Sequence, residues 1–153
     1  FKGKIISVYK MRTMYPFSEY CQELVIKENS LASSGKVRED FRVTTWGKIF
    51  RKLWIDEIPM LINFFKGELS LVGVRPLSEN YFSMYPEDLQ NLRINFKPGL
   101  IPPYYADLPN NFDEILNSER VYLNKKKKSP FITDLKYFFK ALNNIVFKGI
   151  RSS

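Results

Sequence analysis

Apolar and β-branched residues alternate loosely with polar ones over residues 5–14, which predicts a strand. Residues 16–27 read as a short helix carrying Cys21. Residues 28–36, with Asn29-Ser30 and Ser33-Ser34-Gly35, read as a loop. Residues 41–45 are expected to be extended and 46–53 to form a short amphipathic helix. The clearest helix is 59–66: Pro59 is pre-set for a first turn and has no N–H to waste, and Gly67 supplies the stop. A short apolar run, 69–72, ends at a Gly73 turn. Another helix is expected over 83–96, with Pro86 and Glu87 near its start and Pro98-Gly99 as its break. Residues 100–111 form a proline-rich aromatic loop, 112–123 a helix, 125–128 a lysine run and 132–150 a long amphipathic helix. The pattern predicts an α+β fold: one mostly helical domain over 1–153, with a small antiparallel strand element near the N-terminus.

Composition narrows the picture. At 153 residues with 44% hydrophobic and 16% aromatic content, the chain can build a real core, so disorder is not the default. The net charge of +8 is concentrated at the ends: residues 1–14 and 120–153 are basic, and the middle is mildly acidic. Such ends suit anionic lipid, nucleic acid or a phosphorylated ligand. There is no histidine, and Cys21 is the single cysteine, which excludes a Cys/His zinc site and an internal disulfide. Any acid, base or nucleophile must therefore come from other residue types. No apolar run approaches the roughly 20 residues needed to span a bilayer. The opening FKGKIISVYKMRTM reads as the middle of a hairpin, so the chain is expected to be a fragment of a longer protein.

Within this basic chain one acidic pair stands out, Asp56-Glu57, flanked by Arg51 and Arg75 and followed by Pro59. Helix capping explains such a pair, because carboxylates are favoured where helix N–H groups are free. The same surroundings also keep a carboxylate ionised, as a nucleophile or metal ligand requires. Two adjacent carboxylates suit Mg²⁺, a hard ion that takes oxygen ligands together with substrate phosphates. Arg51 and Arg75 are either solvated charges or a bidentate phosphate clamp. Gly73 permits a tight turn, and Pro76 stiffens the segment that presents Arg75. Lys10 and Arg12 alternate on the expected first strand, either as a solvated face or as a border of the site.

Five stretches together make the chain recognisable: YKMRTM (9–14), EDFRVTTWGKIFRK (39–52), IDEIPMLINFFKGELSLVGVRP (55–76), FKPGLIPPY (96–104) and SPFITDLKYFFKALNNIVFKG (129–149). The chain resembles the bacterial sugar transferase family, the polyprenol-phosphate phosphoglycosyl transferases that begin assembly of surface polysaccharides and glycoconjugates. The resemblance implies transfer of a sugar-1-phosphate from a nucleotide sugar, with uridine diphosphate sugars the foremost donors, to polyprenyl (undecaprenyl) phosphate. It implies release of nucleoside monophosphate, a need for Mg²⁺, and a place on the cytoplasmic face of the bacterial inner membrane. It also implies that Asp56 is a nucleophile forming a phosphosugar-aspartyl intermediate and that Glu57, beside Asp56, helps hold the metal. Arg51 and Arg75 would hold phosphate oxygens, and Lys10 and Arg12 would border the site. Family members carry a membrane-inserting helical segment before the first strand, expected to lie upstream of this chain. Val74, Met60 and Thr13 stand where the family usually has Pro, Gln and Ser. None of these departures removes a charge, so activity is expected to be retained.

On the last helix Lys136, Lys140, Asn143, Asn144, Lys148 and Arg151 share one arc. Ile132, Leu135, Phe138, Phe139, Leu142, Ile145, Val146 and Ile150 share the other. Closing the core is the commoner use of such a helix. Its lysines and paired phenylalanines also fit an interfacial helix on an anionic membrane, through Lys136, Phe138, Phe139 and Lys140. A basic nucleic-acid-binding module and an inactive membrane-surface scaffold are the competing readings. The chain has no recognisable nucleic-acid motif, so no nucleic-acid partner is expected.

Overall fold

Two short strands, β1 (Ser70–Val72) and β2 (Gly99–Ile101), pair in parallel, with Ser70 opposite Gly99 and Val72 opposite Ile101. The computed structural model describes residues 2–21, 24–25 and 40–148. Parallel pairing requires a long crossover, and the intervening chain supplies one with α3 (Glu79–Ser83) and α4 (Glu87–Arg93). The pair is close-packed: a Cβ on Gly99 would lie 2.1 Å from the Gly73 nitrogen, so only glycine fits there. Before the sheet lie α1 (Thr45–Lys52), a 3-10 turn (Ile55–Glu57) and α2 (Met60–Phe65). After it come α5 (Tyr104–Asp107) and two long helices, α6 (Phe112–Lys128) and α7 (Pro130–Lys148). The core lies between them, with Val72, Val74, Tyr85, Leu89, Tyr105, Tyr122, Leu123, Tyr137 and Ala141 buried.

The α+β, mostly helical reading holds, but the antiparallel element does not. Among the described residues the antiparallel pairing near the N-terminus is one isolated bridge, Met14 with Val43. Residues 5–14 find other partners: Tyr9 N–H donates to Asn63 Oδ1 at 3.0 Å and Met11 N–H to the Asp56 carbonyl at 3.0 Å. A backbone satisfied by a helix side chain and a turn has no need of a ladder. The helix expected over 83–96 is realised as the shorter α4, which starts after Pro86, itself extended (ψ 141°), as the sequence placed it. The aromatic loop contains β2 and α5, and α6 runs on through the lysines at 125–128. Of the expected 16–27 helix, Ser18–Cys21 form a 3-10 helix, while Gln22, Glu23, Ile26 and Lys27, the expected loop at 28–36, Ile150 and Arg151 lie outside the described residues.

The arcs of α7 are the clearest correction. Its buried residues are Thr133, Tyr137, Ala141 and Asn144. Asn144, expected on the solvated arc, donates to the Tyr105 and Ala106 carbonyls at 3.0 and 2.8 Å. Phe138 is half-buried against the core, while Ile132, Leu135, Phe139, Leu142 and Val146 are exposed. Small and hydrogen-bonding residues let α7 approach α5 closely, which the bulky apolar arc would not.

α1 sits hard against the N-terminal segment. Thr44 caps it, accepting from Gly47 N–H, and Thr44 N–H donates to the Thr13 carbonyl at 3.0 Å. A Cβ on Gly47 would lie 2.1 Å from the Thr13 carbonyl oxygen. Gly47→Ala is expected to destabilise the fold by about 1–3 kcal/mol through overpacking and to displace residues 10–14. Thermal denaturation followed by circular dichroism measures it.

Candidate active site

The 3-10 turn Ile55–Glu57 carries the acidic pair between α1 and α2. Trp54 enters it with φ 63°, a left-handed conformation uncommon for a bulky residue. Its ring is held 4.6 Å from that of Tyr105, which anchors the strained entry to the core. Neither carboxylate caps α2, whose start at Pro59 has no side-chain cap. The capping explanation of the pair therefore fails.

A cavity of about 480 Å³ opens over this turn. Lys10, Arg12, Arg51 and Arg75 line it together with Asp56 and Glu57, so four cations face two carboxylates. Met11, Thr13, Met14 and Ser18 complete the wall. All six charged residues expected at the site are thus brought together from three parts of the chain.

The two carboxylates have different surroundings. Glu57 Oε1 accepts from Lys10 Nζ at 2.8 Å and from Arg75 Nη2 at 2.9 Å. Burial opposes its ionisation, but Arg75 and Lys10 outweigh that and hold the carboxyl below the usual glutamate range. Asp56 is 6% exposed, and its Oδ1 is buried with no hydrogen-bond partner among the described residues. A buried carboxylate oxygen left unpartnered costs free energy, so this one is kept for something other than stability.

Three cations are held by neighbouring side chains. Arg51 Nε donates to Thr13 Oγ1 at 2.9 Å, which turns the end of the guanidinium to the cavity. Arg75 Nη1 donates to the Tyr104 hydroxyl at 2.6 Å while Nη2 holds Glu57. Lys10 is tied to Glu57. Arg12 is exposed and has no hydrogen-bond or ion-pair partner among the described residues, leaving its whole fork for an anion. Thr13 and Tyr104 were not among the expected site residues. Both lie inside the recognisable stretches 9–14 and 96–104, which was the available signal.

Glu57 gives a pH prediction. Its folded pKa is depressed, so its stabilising contribution is complete above the ordinary value near 4.5 and is lost as pH falls through the folded pKa below it. Lys10→Met removes part of the depression. The acid-unfolding midpoint, followed by circular dichroism, is therefore expected to move to higher pH.

Asp56 Oδ1 and Glu57 Oε2 are free of hydrogen bonds, while no group of three or more acidic, His or Cys side chains assembles among the described residues. Two such oxygens, with the remaining ligands from substrate phosphates and water, match the way Mg²⁺ is usually held.

The residues expected at a membrane lie elsewhere. Lys136 and Phe139 are exposed on α7, and Lys140 is paired with Asp107 at 2.7 Å. None lines the cavity. A second exposed apolar set, not expected from the sequence, flanks the acidic turn: Trp46 and Leu53 of α1 and its end, and Leu61, Ile62 and Phe65 of α2. Lys48, Lys52 and Lys66 are exposed among them. No helix among the described residues is long and apolar enough to cross a membrane.

Residues 1–148 match the model of a family described as bacterial sugar transferase. A galactosyl transferase, CpsE, of Streptococcus agalactiae is 35% identical over 127 residues, 80% of this chain and 28% of that protein. An undecaprenyl-phosphate galactose phosphotransferase of Salmonella typhimurium is 30% identical over 72% of this chain and 24% of that protein. An uncharacterized sugar transferase of Bacillus subtilis, EpsL, is 42% identical over 64% of this chain and 42% of its own length. The chain thus spans less than half of each of these relatives.

Proposed function

Because the chain belongs to the bacterial sugar transferase family, we propose that it transfers a sugar-1-phosphate from a uridine diphosphate sugar to undecaprenyl phosphate at a membrane surface. The observation that carries this reading is the buried, unpartnered Asp56 carboxylate facing four cations. The galactose phosphotransferase among its relatives supports the substrate class.

Asp56 attacks the sugar-bearing phosphorus of the donor. The bond from that phosphorus to the bridging oxygen breaks, UMP leaves, and a phosphosugar-aspartyl intermediate remains. A phosphate oxygen of undecaprenyl phosphate then attacks the same phosphorus. The aspartyl bond breaks, the carboxylate returns, and undecaprenyl diphosphate sugar is released. Arg12, Arg51 and Arg75 hold phosphate oxygens through both displacements, so anions meet without prohibitive repulsion. The acceptor is already anionic, so the absence of histidine is no obstacle. Mg²⁺ held by Glu57 and Asp56 would neutralise charge on the diphosphate.

The anchoring surface fits the acceptor. α1 and α2 bracket the acidic turn and expose Trp46, Leu53 and Phe65 beside lysines, as an interfacial helix pair on anionic lipid requires. Seating this face in the cytoplasmic leaflet of the inner membrane brings the cavity to the lipid phosphate. Trp46→Ser with Phe65→Ser is expected to lower partitioning onto vesicles containing anionic phospholipid by roughly tenfold or more. Co-sedimentation measures it.

The reaction is tested by incubating the protein with Mg²⁺, undecaprenyl phosphate and a panel of uridine diphosphate sugars, and assaying UMP. Release that depends on both one donor and the lipid supports the reading. No release with any donor contradicts it.

A further inference from the structure

Outside the lining of the cavity a buried ion pair joins α4 to α6: Arg93, 6% exposed, donates through Nη1 to Glu119 Oε2, and Glu119 is 1% exposed. Buried pairs are poor sources of stability, and an apolar pair of similar volume often does as well. Arg93 also has a second partner. Its Nη2 donates to the main-chain carbonyl of Arg75 at 2.6 Å, and its guanidinium lies 4.9 Å from the Tyr85 ring centre. A planar fork held on one side by Glu119 and below by Tyr85 can aim its other arm in only one direction.

That direction matters because Arg75 is the loop residue that meets both Glu57 and Tyr104. The neighbouring carbonyls are also fixed from inside. Val74 accepts from Gly99 N–H at 2.9 Å, and Val72 accepts from Lys126 Nζ at 3.0 Å and the Tyr122 hydroxyl at 3.1 Å. Arg93 supplies the corresponding hold at Arg75 itself.

We propose that Arg93, held by Glu119, is a positioning residue that fixes the backbone of Arg75 and so aims its guanidinium at the substrate phosphate. The assignment of a substrate phosphate to Arg75 rests on the transferase reading above. The backbone part does not.

Two variants test it: Arg93→Lys, which keeps the charge and loses the fork, and Arg93→Met with Glu119→Leu, which replaces the pair by apolar side chains and keeps the fold testable if the first variant does not fold. Amide hydrogen exchange is read over residues 73–77 against α6 and α7, together with steady-state UMP release. The expected result is faster exchange confined to 73–77. Transfer kcat/KM is expected to fall about tenfold to a hundredfold, the scale of a small misplacement of a catalytic group. In an Arg75→Met background the Arg93 change is expected to add no further loss, because its effect passes through Arg75. Unchanged exchange at 73–77, equally faster exchange throughout, or losses that multiply with Arg75→Met would each overturn the proposal. If the wild-type protein releases no UMP, the transferase reading fails, and the exchange comparison alone decides whether Arg93 fixes Arg75.

Discussion

Asp56→Asn is expected to abolish transfer while raising thermal stability. The substitution keeps shape and removes the atom that would form the covalent bond, so UMP release should fall on the order of 10⁴-fold or more, as removal of a nucleophile does elsewhere. Stability should move the other way. Asp56 is buried with an unpartnered oxygen, and an amide costs less to bury than a carboxylate. A gain of up to about 1 kcal/mol is expected, because the amide still buries a polar atom there and gives up the attraction of the facing cations. At this chain length it corresponds to a rise of up to a few degrees in Tm. A nucleotide release assay and a melting curve on the same preparation check both halves. A merely structural Asp56 would give lower stability and intact turnover per folded molecule.

Arg75→Met is expected to have the next largest effect. Arg75 joins Glu57 and Tyr104, at 2.9 and 2.6 Å, and presents a planar fork to the cavity. Removing a charge that stabilises a reacting phosphate costs roughly 3–4 kcal/mol, so kcat should fall about 10²–10³-fold. Glu57 then keeps Lys10 as its cationic partner, and its carboxyl moves back up toward the ordinary range. Arg75→Lys should recover part of the rate, because it restores charge without bidentate geometry. Steady-state kinetics of the two variants separates these contributions. Equal rates for Arg75→Met and wild type would remove Arg75 from the site.

Much of the site was legible because its chemistry is local in the chain. Asp56, Glu57, Arg51 and Arg75 lie within one block; capping and solvated charge also explained them, and the resemblance carried by that block is what singled them out. Lys10 and Arg12 came from strand-like alternation and resemblance, and they face the cavity from an extended segment that is not a strand. Thr13, Tyr104 and Arg93 are different. Each acts through a long-range hydrogen bond, to Arg51, Arg75 and the Arg75 carbonyl, and no periodicity reports such partners.

The fold was legible where local rules decide. Pro59 and Gly67 bound α2, and Pro130–Lys148 forms the long last helix. It was not legible where tertiary contacts decide. The parallel pair depends on Gly73 and Gly99 meeting across a crossover. The orientation of α7 depends on Asn144 reaching two carbonyls of α5, which outweighs burial of Phe139 and Leu142. An amphipathic arc predicts a preferred environment for its residues, and here the apolar arcs of α1, α2 and α7 are exposed rather than packed into the core.

The central claim is that Asp56 is the nucleophile. Its most direct test is to incubate the protein with Mg²⁺ and a uridine diphosphate sugar labelled in the sugar-attached phosphate, without lipid acceptor, and to map the label by peptide mass spectrometry after acid quench. The account predicts a phosphosugar on Asp56 that is discharged when undecaprenyl phosphate is added. Label on another residue, or transfer by the wild-type protein through no labelled intermediate, would contradict it.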